Sequence, residues 1–422
     1  IDIDLPPIVR LERQAGGVDA IKKAADLLSN AKFPVILSGA GVVLSDAIED
    51  CKNIAEKLDA PVACGYQHND SFPGKHPLAV GPLGYNGSKA AMEIISKADV
   101  VLALGTRLNP FSTLPGYGID YWPKEAKIIQ VDINSDRIGL AKKISVGICG
   151  DAKLVAKQIL SQLSQTAGDD GREDRKALIH QTKSAWLQTL TSLDHEEDDE
   201  GTSWNKDSRD RDPDRMSPRM AWRAIQAGLP SDAIISSDIG NNCAIGNAYP
   251  TFEQGRKYLA PGLFGPCGYG FPSVLGAKIG CPDTPVVGFS GDGAFGISMS
   301  EMTSCSREEW PNITMVIFRN YQWGAEKRNT TLWYDNNFIG TELDPKLSYA
   351  KIAEACGFRG VKVTTQSELT EALKSSCVDQ MNGVTTFIEV ILNQELGEPF
   401  RRDAMKAPVE IAGIDSKDTV VQ

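Results

Sequence analysis

Two short apolar runs, residues 286–289 (VVGF) and 313–318 (ITMVIF), bracket a stretch of helical character, and each stops at a polar signal. The first ends in Gly291-Asp292-Gly293 and the second at Asn320, 28 positions beyond Asp292. A strand, a helix and a second strand in that order make a parallel pair joined by a crossover, so the chain is committed to an α/β sheet covered on both faces. Both polar signals then sit just past the carboxyl ends of strands, where open parallel sheets bind their ligands. An Asp carboxylate, an Asn carbonyl and nearby main-chain oxygens are the hard donors Mg²⁺ takes, and a diphosphate would complete the octahedron. Glycines let the backbone approach phosphates, and the free N–H groups opening the next helix suit their charge. The stretch reads as a site for a magnesium diphosphate. The alternative is a purely structural turn, because Gly-Asp-Gly alone is common in glycine-rich α/β proteins.

At 422 residues the chain is long for one core, and its pattern divides accordingly. Residues 1–17 are an extended, proline-containing incoming linker. Over 18–165, helical periods at 18–30, 46–58, 89–97 and 151–163 alternate with strands at 34–38 (PVILS), 61–64, 99–104 (DVVLAL) and 127–133 (KIIQVDI), the signature of a doubly wound sheet. The pattern decays over 166–215, where five acids stand together at 196–200 (EEDDE); this reads as a solvated acidic linker with one helix at 175–193. Residues 216–422 form a second α/β domain with a C-terminal tail. Ser217 and Pro218 open its first helix as N-cap and first helical residue. Strands follow at 233–237, 286–289, 313–318, 361–363 and 385–392, with a loop at 323–347 and helices near 348–356 and 367–377. The predicted architecture is two doubly wound parallel-sheet domains joined by an acidic linker.

Composition narrows the function classes. A formal charge of −11 argues against general affinity for nucleic acid or an anionic membrane, and no apolar run approaches the ~20 residues needed to span a bilayer. The nine cysteines never occur as C-x-x-C, which suits reduced thiols in a cytoplasmic compartment. The chain begins at Ile1 and its first methionine is Met92, inside a patterned segment, so an upstream portion is expected. A second phosphate-turn candidate is Gly39-Ala40-Gly41 after the 34–38 strand. It lacks the third glycine of G-x-G-x-x-G, that position being Leu44, and stays open between a dinucleotide site and a plain tight turn. Arg107, after the 99–104 strand, suits either a ligand phosphate or a carboxylate such as Asp132.

The pattern G-D-G, then the 28-residue interval, then Asn resembles the thiamine diphosphate motif. The second domain is similar to the diphosphate-binding domain of the acetolactate synthase and pyruvate decarboxylase superfamily, and the first to its central domain. The resemblance implies a Mg²⁺ held by Asp292, Asn320 and the main-chain carbonyl of Gln322. It implies a diphosphate lined by Asp238, Gly240, Asn241, Asn242, Gly291, Gly293, Ala294 and Gly324, with Gly265 and Cys267 against the aminopyrimidine. Two positions depart from the superfamily pattern: its Asn-Asn pair is Arg319-Asn320 here, and its large apolar wedge is Cys267.

Within the superfamily, the runs at 319–327 (RNYQWGAEK), 329–344 and 397–406 (GEPFRRDAMK) are most similar to the sulfoacetaldehyde acetyltransferases. That likeness implies sulfoacetaldehyde and phosphate as substrates and acetyl phosphate and sulfite as products. Two anionic substrates call for cations, and the candidates are Lys327, Arg328, Arg401 and Arg402, with solvated surface charge as the alternative. Trp323 and Trp333 would shield the site from water or simply pack. The superfamily's activating glutamate lies in an N-terminal pyrimidine-binding domain that is not found in this sequence, and its sites form between subunits. A homodimer or homotetramer is therefore implied, and these 422 residues alone are expected to be inactive. Two other readings stay open: an acetolactate synthase-like carboligase or 2-oxo acid decarboxylase, and a non-catalytic nucleotide-binding protein working through the Gly39 turn.

Overall fold

A computed structural model describes residues 12–164, 172–194, 212, 214–262 and 264–396. Among the described residues there are two six-stranded sheets in which every strand pair is parallel. The first comprises β1 (Pro34–Ser38), β2 (Val62–Cys64), β3 (Ala79–Pro82), β4 (Val100–Leu104), β5 (Lys127–Asp132) and β6 (Val146–Cys149), in the order β3-β2-β1-β4-β5-β6. The second comprises β7 (Ile234–Ser237), β8 (Tyr258–Leu259), β9 (Val286–Gly291), β10 (Thr314–Arg319), β11 (Arg359–Val363) and β12 (Thr386–Ile391), in the order β11-β12-β10-β9-β7-β8. Helices cover both faces, so β1, β4, β10 and β12 are buried along their whole length. This is why their sequences run apolar without alternation.

Three strands escape the sequence reading, β3, β6 and β8, and all three are edges. β3 carries a glycine and ends in proline, β6 alternates buried and exposed residues, and β8 has only two residues. Edge strands are short and tolerate proline, which erases the continuous apolar signal. Two further differences are local. The expected loop at 323–347 begins with a helix, Gly324–Trp333. The expected helix at 46–58 is Ile48–Leu58, preceded by a five-residue helix, Ala40–Leu44. The nine thiols are all unpaired, with Cys51, Cys64, Cys243 and Cys377 buried and Cys149 and Cys281 exposed. Among the described residues no helix is long and apolar enough to cross a membrane.

The helix expected within the linker is Arg172–Asp194, and it is fastened rather than solvated. The Arg175 guanidinium donates to the carbonyls of Lys32 (2.8 Å), Leu58 (2.8 Å) and Asp59 (2.9 Å). Ile179 packs into the first core, whereas Trp186 and Leu190 pack into the second. The acidic run at 196–200 lies outside the described residues. Elsewhere the two units interlock through Asn247, whose Oδ1 accepts from the Gln67 N–H (2.9 Å), and through Asn69, whose Nδ2 donates to the carbonyls of Asn247 and Pro250 (both 2.8 Å).

Candidate active site

β10, β9 and β7 are neighbours, so the residues following them converge on one end of the second sheet. Asp292 opens the helix Asp292–Ser298 directly after β9 and is only 1% exposed. Its Oδ2 accepts from the Tyr321 N–H (2.7 Å) and from Arg319 Nη1 (3.0 Å), while its Oδ1 accepts from the Gly293 N–H (3.0 Å). Burial pushes its carboxyl up to about 6, against the opposing pull of the Arg319 guanidinium. Next to this carboxylate the chain turns at Tyr321, which adopts a left-handed φ of 60°. That conformation is uncommon for a non-glycine residue and is maintained where surrounding structure enforces it. The turn is clamped by the bonds from Trp323 N–H to the Thr341 carbonyl (2.8 Å) and from Leu343 N–H to the Tyr321 carbonyl (2.9 Å). Neither bond uses a main-chain group of Gln322.

Three buried amide oxygens, Asn320 Oδ1, Gln322 Oε1 and Asn242 Oδ1, have no hydrogen-bond partner. Buried acceptors are almost always satisfied, so these orphans, all on residues that follow β7 and β10, mark where a cation or a polar ligand fits. No cluster of three or more His, Cys, Asp or Glu side chains suited to a metal occurs among the described residues. A cation at this sheet end would therefore be held by the mixed carboxylate, amide and main-chain set.

The loop after β7 carries Gly240, whose φ of 115° excludes any residue with a Cβ, and then Asn241 and Asn242 in a short helix. Asn241 Nδ2 donates to the carbonyls of Gly324 (3.0 Å) and Leu396 (3.1 Å), which ties this loop to the Gly324–Trp333 helix. Asp238 is fully buried, its carboxyl raised by burial, and it takes N–H groups from Ile239, Gly268 and Gly270 together with the Ser290 hydroxyl. Gly265 (φ 69°) and the half-buried Cys267 lie on the same loop, and burial lifts the Cys267 thiol. Ala294 is buried, and a Cβ on Gly293 would come within 2.9 Å of the Trp323 indole, so the two segments already touch there.

The remaining candidates behave differently. Lys327 is buried and paired with Glu342, and it lies 5.1 Å from the Phe338 ring. The Arg328 guanidinium stands 4.9 Å from the Tyr85 ring of the first unit. Arg401 and Arg402 lie outside the described residues. Arg107 makes no hydrogen bond to Asp132; its Nη2 donates to the Gly262 carbonyl (3.0 Å) across the two units. At the Gly39 turn the N–H of Gly41 donates to the Gly105 carbonyl (2.8 Å), and a Cβ on Gly39 or Gly41 would collide with Gly105 at 2.6–2.7 Å. These two glycines serve the close crossing of two turns, beside a cleft of about 1030 Å³.

The sequence reading missed Glu389 and Tyr349. Glu389, 2% exposed on β12, lies 3.8 Å from Arg319 Nε, and its Oε2 accepts from the Ser348 hydroxyl (2.7 Å) and the Ala350 N–H (3.1 Å). Tyr349 donates its hydroxyl to the Asp292 carbonyl (2.8 Å). A lone acid in the apolar run TTFIEVIL was the available signal for Glu389.

Residues 21–159 match the thiamine pyrophosphate enzyme central domain, and residues 238–390 match the thiamine pyrophosphate enzyme C-terminal TPP binding domain. The chain is 76% identical over 422 residues to a probable sulfoacetaldehyde acetyltransferase of Rhizobium meliloti (strain 1021), covering 100% of this chain and 71% of that protein. It belongs to the thiamine pyrophosphate enzymes, in the sulfoacetaldehyde acetyltransferase family. A sulfoacetaldehyde acetyltransferase of Roseovarius nubinhibens is 71% identical over 418 residues, 99% of this chain and 69% of that one. More distant is a probable acetolactate synthase large subunit of Methanococcus aeolicus, 30% identical over 391 residues, 89% of this chain and 62% of that protein. For a thiamine pyrophosphate enzyme, the matched C-terminal segment encloses the ends of β7, β9 and β10, where the orphaned oxygens lie.

Proposed function

We propose that the chain converts sulfoacetaldehyde and phosphate to acetyl phosphate and sulfite with thiamine diphosphate and Mg²⁺. The observation that carries this reading is the buried, partnerless Asn320 Oδ1, one residue before Tyr321, whose N–H bonds the buried Asp292 carboxylate, in a chain 76% identical to a probable sulfoacetaldehyde acetyltransferase. Asp292, Asn320 and the Gln322 carbonyl would hold the Mg²⁺. Gly291, Gly293, Ala294, Gly240 and Asn242 would face the diphosphate, with Asn241 and Gly324 bracing each other behind it. Gly265 and Cys267 would meet the aminopyrimidine. When bound, thiamine diphosphate supplies a nucleophilic carbon able to carry a two-carbon unit.

The chain's own part is to position and to exclude water. Arg319 and the Tyr321 N–H fix one Asp292 oxygen and leave the other with a single main-chain donor, so it retains acceptor capacity for a cation. Trp323 closes over Gly293 and keeps water from that side. A sulfonate or phosphate reaching Lys327 must displace Glu342, which is 57% exposed and therefore easily solvated on release. Arg328, Arg401 and Arg402 are the further cations proposed for these anions. Homo-oligomerisation and a cytoplasmic location complete the reading, the latter supported by nine unpaired thiols.

The test has two arms. Thiamine diphosphate should raise the melting temperature only when Mg²⁺ is present, and Asp292→Ala or Asn320→Ala should weaken that binding at least roughly tenfold. Stabilisation that survives both substitutions would instead favour a nucleotide-binding protein. Because the matched relatives are longer, turnover is compared on the 422 residues and on a polypeptide extended to their length. Sulfite and acetyl phosphate from sulfoacetaldehyde are expected from the extended polypeptide and not from the 422 residues alone, and carbon dioxide from pyruvate would reassign the chain to the carboligases and decarboxylases.

A further inference from the structure

The Asp238 carboxylate is fully buried, and among the described residues it forms no ion pair. An isolated buried anion is costly unless hydrogen bonds compensate it, and here four do. Oδ1 accepts from the N–H groups of Ile239 (2.8 Å) and Gly268 (3.1 Å), and Oδ2 accepts from the Gly270 N–H (2.8 Å) and the Ser290 hydroxyl (3.2 Å). Those four donors fill its lone-pair positions, so nothing remains with which to grip a ligand. They come from three separate segments: the end of β7, the loop carrying Cys267, and Ser290 near the end of β9, just before Gly291 and Asp292.

We infer that Asp238 is a positioning residue rather than a cofactor contact: it staples the Cys267 loop to the strand that presents the diphosphate site. This rests on the function proposed above. The loop needs the staple because Gly265 and Gly268 both take left-handed φ values, 69° and 87°, a conformation glycine adopts without its own enforcing contacts. The fit at Gly270 is close, since a Cβ there would meet the Phe289 carbonyl at 2.8 Å and Asp238 Oδ2 at 3.1 Å. The main-chain N–H of Asp238 also donates to that Phe289 carbonyl (2.8 Å), which holds β7 and β9 in step.

Asp238→Asn separates position from bulk. An amide in this place must turn its N–H₂ towards either the Ile239 and Gly268 pair or Gly270, opposing donor to donor and releasing one side of the loop. Wild type and D238N are titrated, each with Mg²⁺, against thiamine diphosphate and against inorganic pyrophosphate, with tryptophan emission as readout. Loss of one charge-assisted bond corresponds to roughly tenfold weaker thiamine diphosphate binding, while pyrophosphate binding should stay within about twofold because the single Ser290 proton can turn from Asp238 to the Gly291 carbonyl (3.1 Å). Parallel losses for both ligands, or no loss for either, would overturn the inference and make Asp238 a general structural residue. A wild type that binds neither ligand overturns the proposed function itself. Should D238N not fold, Ser290→Ala decides by the same ratio: it cuts one link of the staple to β9, so a shift of about threefold against thiamine diphosphate supports the inference and an unchanged ratio sinks it.

Discussion

Replacing Arg319 by Met would remove the cation that lies between two buried carboxylates. The guanidinium reaches Asp292 Oδ2 through Nη1 (3.0 Å) and faces Glu389 Oε1 from Nε (3.8 Å), and those acids are only 1% and 2% exposed. Its Nη2 also donates to the carbonyls of Asp344 and Leu347. Methionine keeps an apolar stem between the Tyr321 and Tyr349 rings, whose centroids lie 4.3 and 5.4 Å from the guanidinium carbon, so lost packing is a minor part of the effect. Breaking a buried pair by deleting one partner costs about 3–5 kcal/mol, because the surviving charge stays in the core. Taking about 4 kcal/mol and roughly 1–1.5 °C per kcal/mol for a single cooperative unit of this length, the melting temperature should fall by about 4–6 °C. Calorimetry on the metal-free protein reads this directly. The double variant with Glu389→Met removes one stranded charge and should recover at least about 1 kcal/mol relative to additivity. A loss below about 1 kcal/mol in the single variant, or strict additivity in the double, would refute the network as described.

Three further outcomes follow from the same geometry. Burial holds the Asp292 carboxyl at about 6 in the folded protein against an ordinary 3.8, so between these values the native state binds the extra proton; the metal-free wild type should lose stability relative to Asp292→Asn as pH rises from about 4 to about 6, and urea midpoints showing the opposite slope would contradict it. Gly293→Ala places a Cβ 2.9 Å from the Trp323 indole, so overpacking of about 1–3 kcal/mol and a shift in tryptophan emission are expected, with unchanged emission and midpoint the contrary result. Trp222→Phe strips the Nε1–H bond to the buried Asn242 carbonyl (2.6 Å) and should cost about 1–3 kcal/mol in denaturant unfolding, a loss under about 0.5 kcal/mol being evidence against it.

How much of this was legible in the sequence depends on what each residue touches. Strands buried on both faces announce themselves, and β1, β4, β9, β10 and β12 were read from continuous apolar runs, whereas the edges β3, β6 and β8 carry half-exposed, glycine- or proline-bearing segments that resemble loops. Asp292 and Asn320 became candidates because strand ends in a parallel sheet are a place, not merely a pattern, and both are buried at the ends of β9 and β10. At Gly39-Ala40-Gly41 the sequence left a tight turn and a phosphate site open, because a glycine required for close packing, as Gly39 and Gly41 are against Gly105, looks the same in sequence as one required for a phosphate. The role of Arg319 was likewise hidden, because its partner Glu389 arrives from a strand far along the chain. Asp238 lines up with the site residues in sequence, yet its carboxylate faces inward, a direction set by four donors from separate segments. The pairing of Lys327 with Glu342 depended on the turn at Tyr321, where a left-handed backbone folds the chain back on itself.

The Arg172–Asp194 helix has a mechanical consequence. Its first half belongs to one core through Ile179 and the Arg175 fork on Lys32, Leu58 and Asp59, and its second half to the other through Trp186 and Leu190, while the Tyr117 ring of the first unit lies 5.3 Å from the Trp186 ring. A boundary drawn along the chain therefore differs from a boundary drawn through the packing: the latter cuts across the middle of one rigid rod. Neither half can melt without stripping cover from that rod, so heat should meet a single cooperative unit, and severing the chain after the helix would leave Trp186 and Leu190 bared to water on whichever piece retains them.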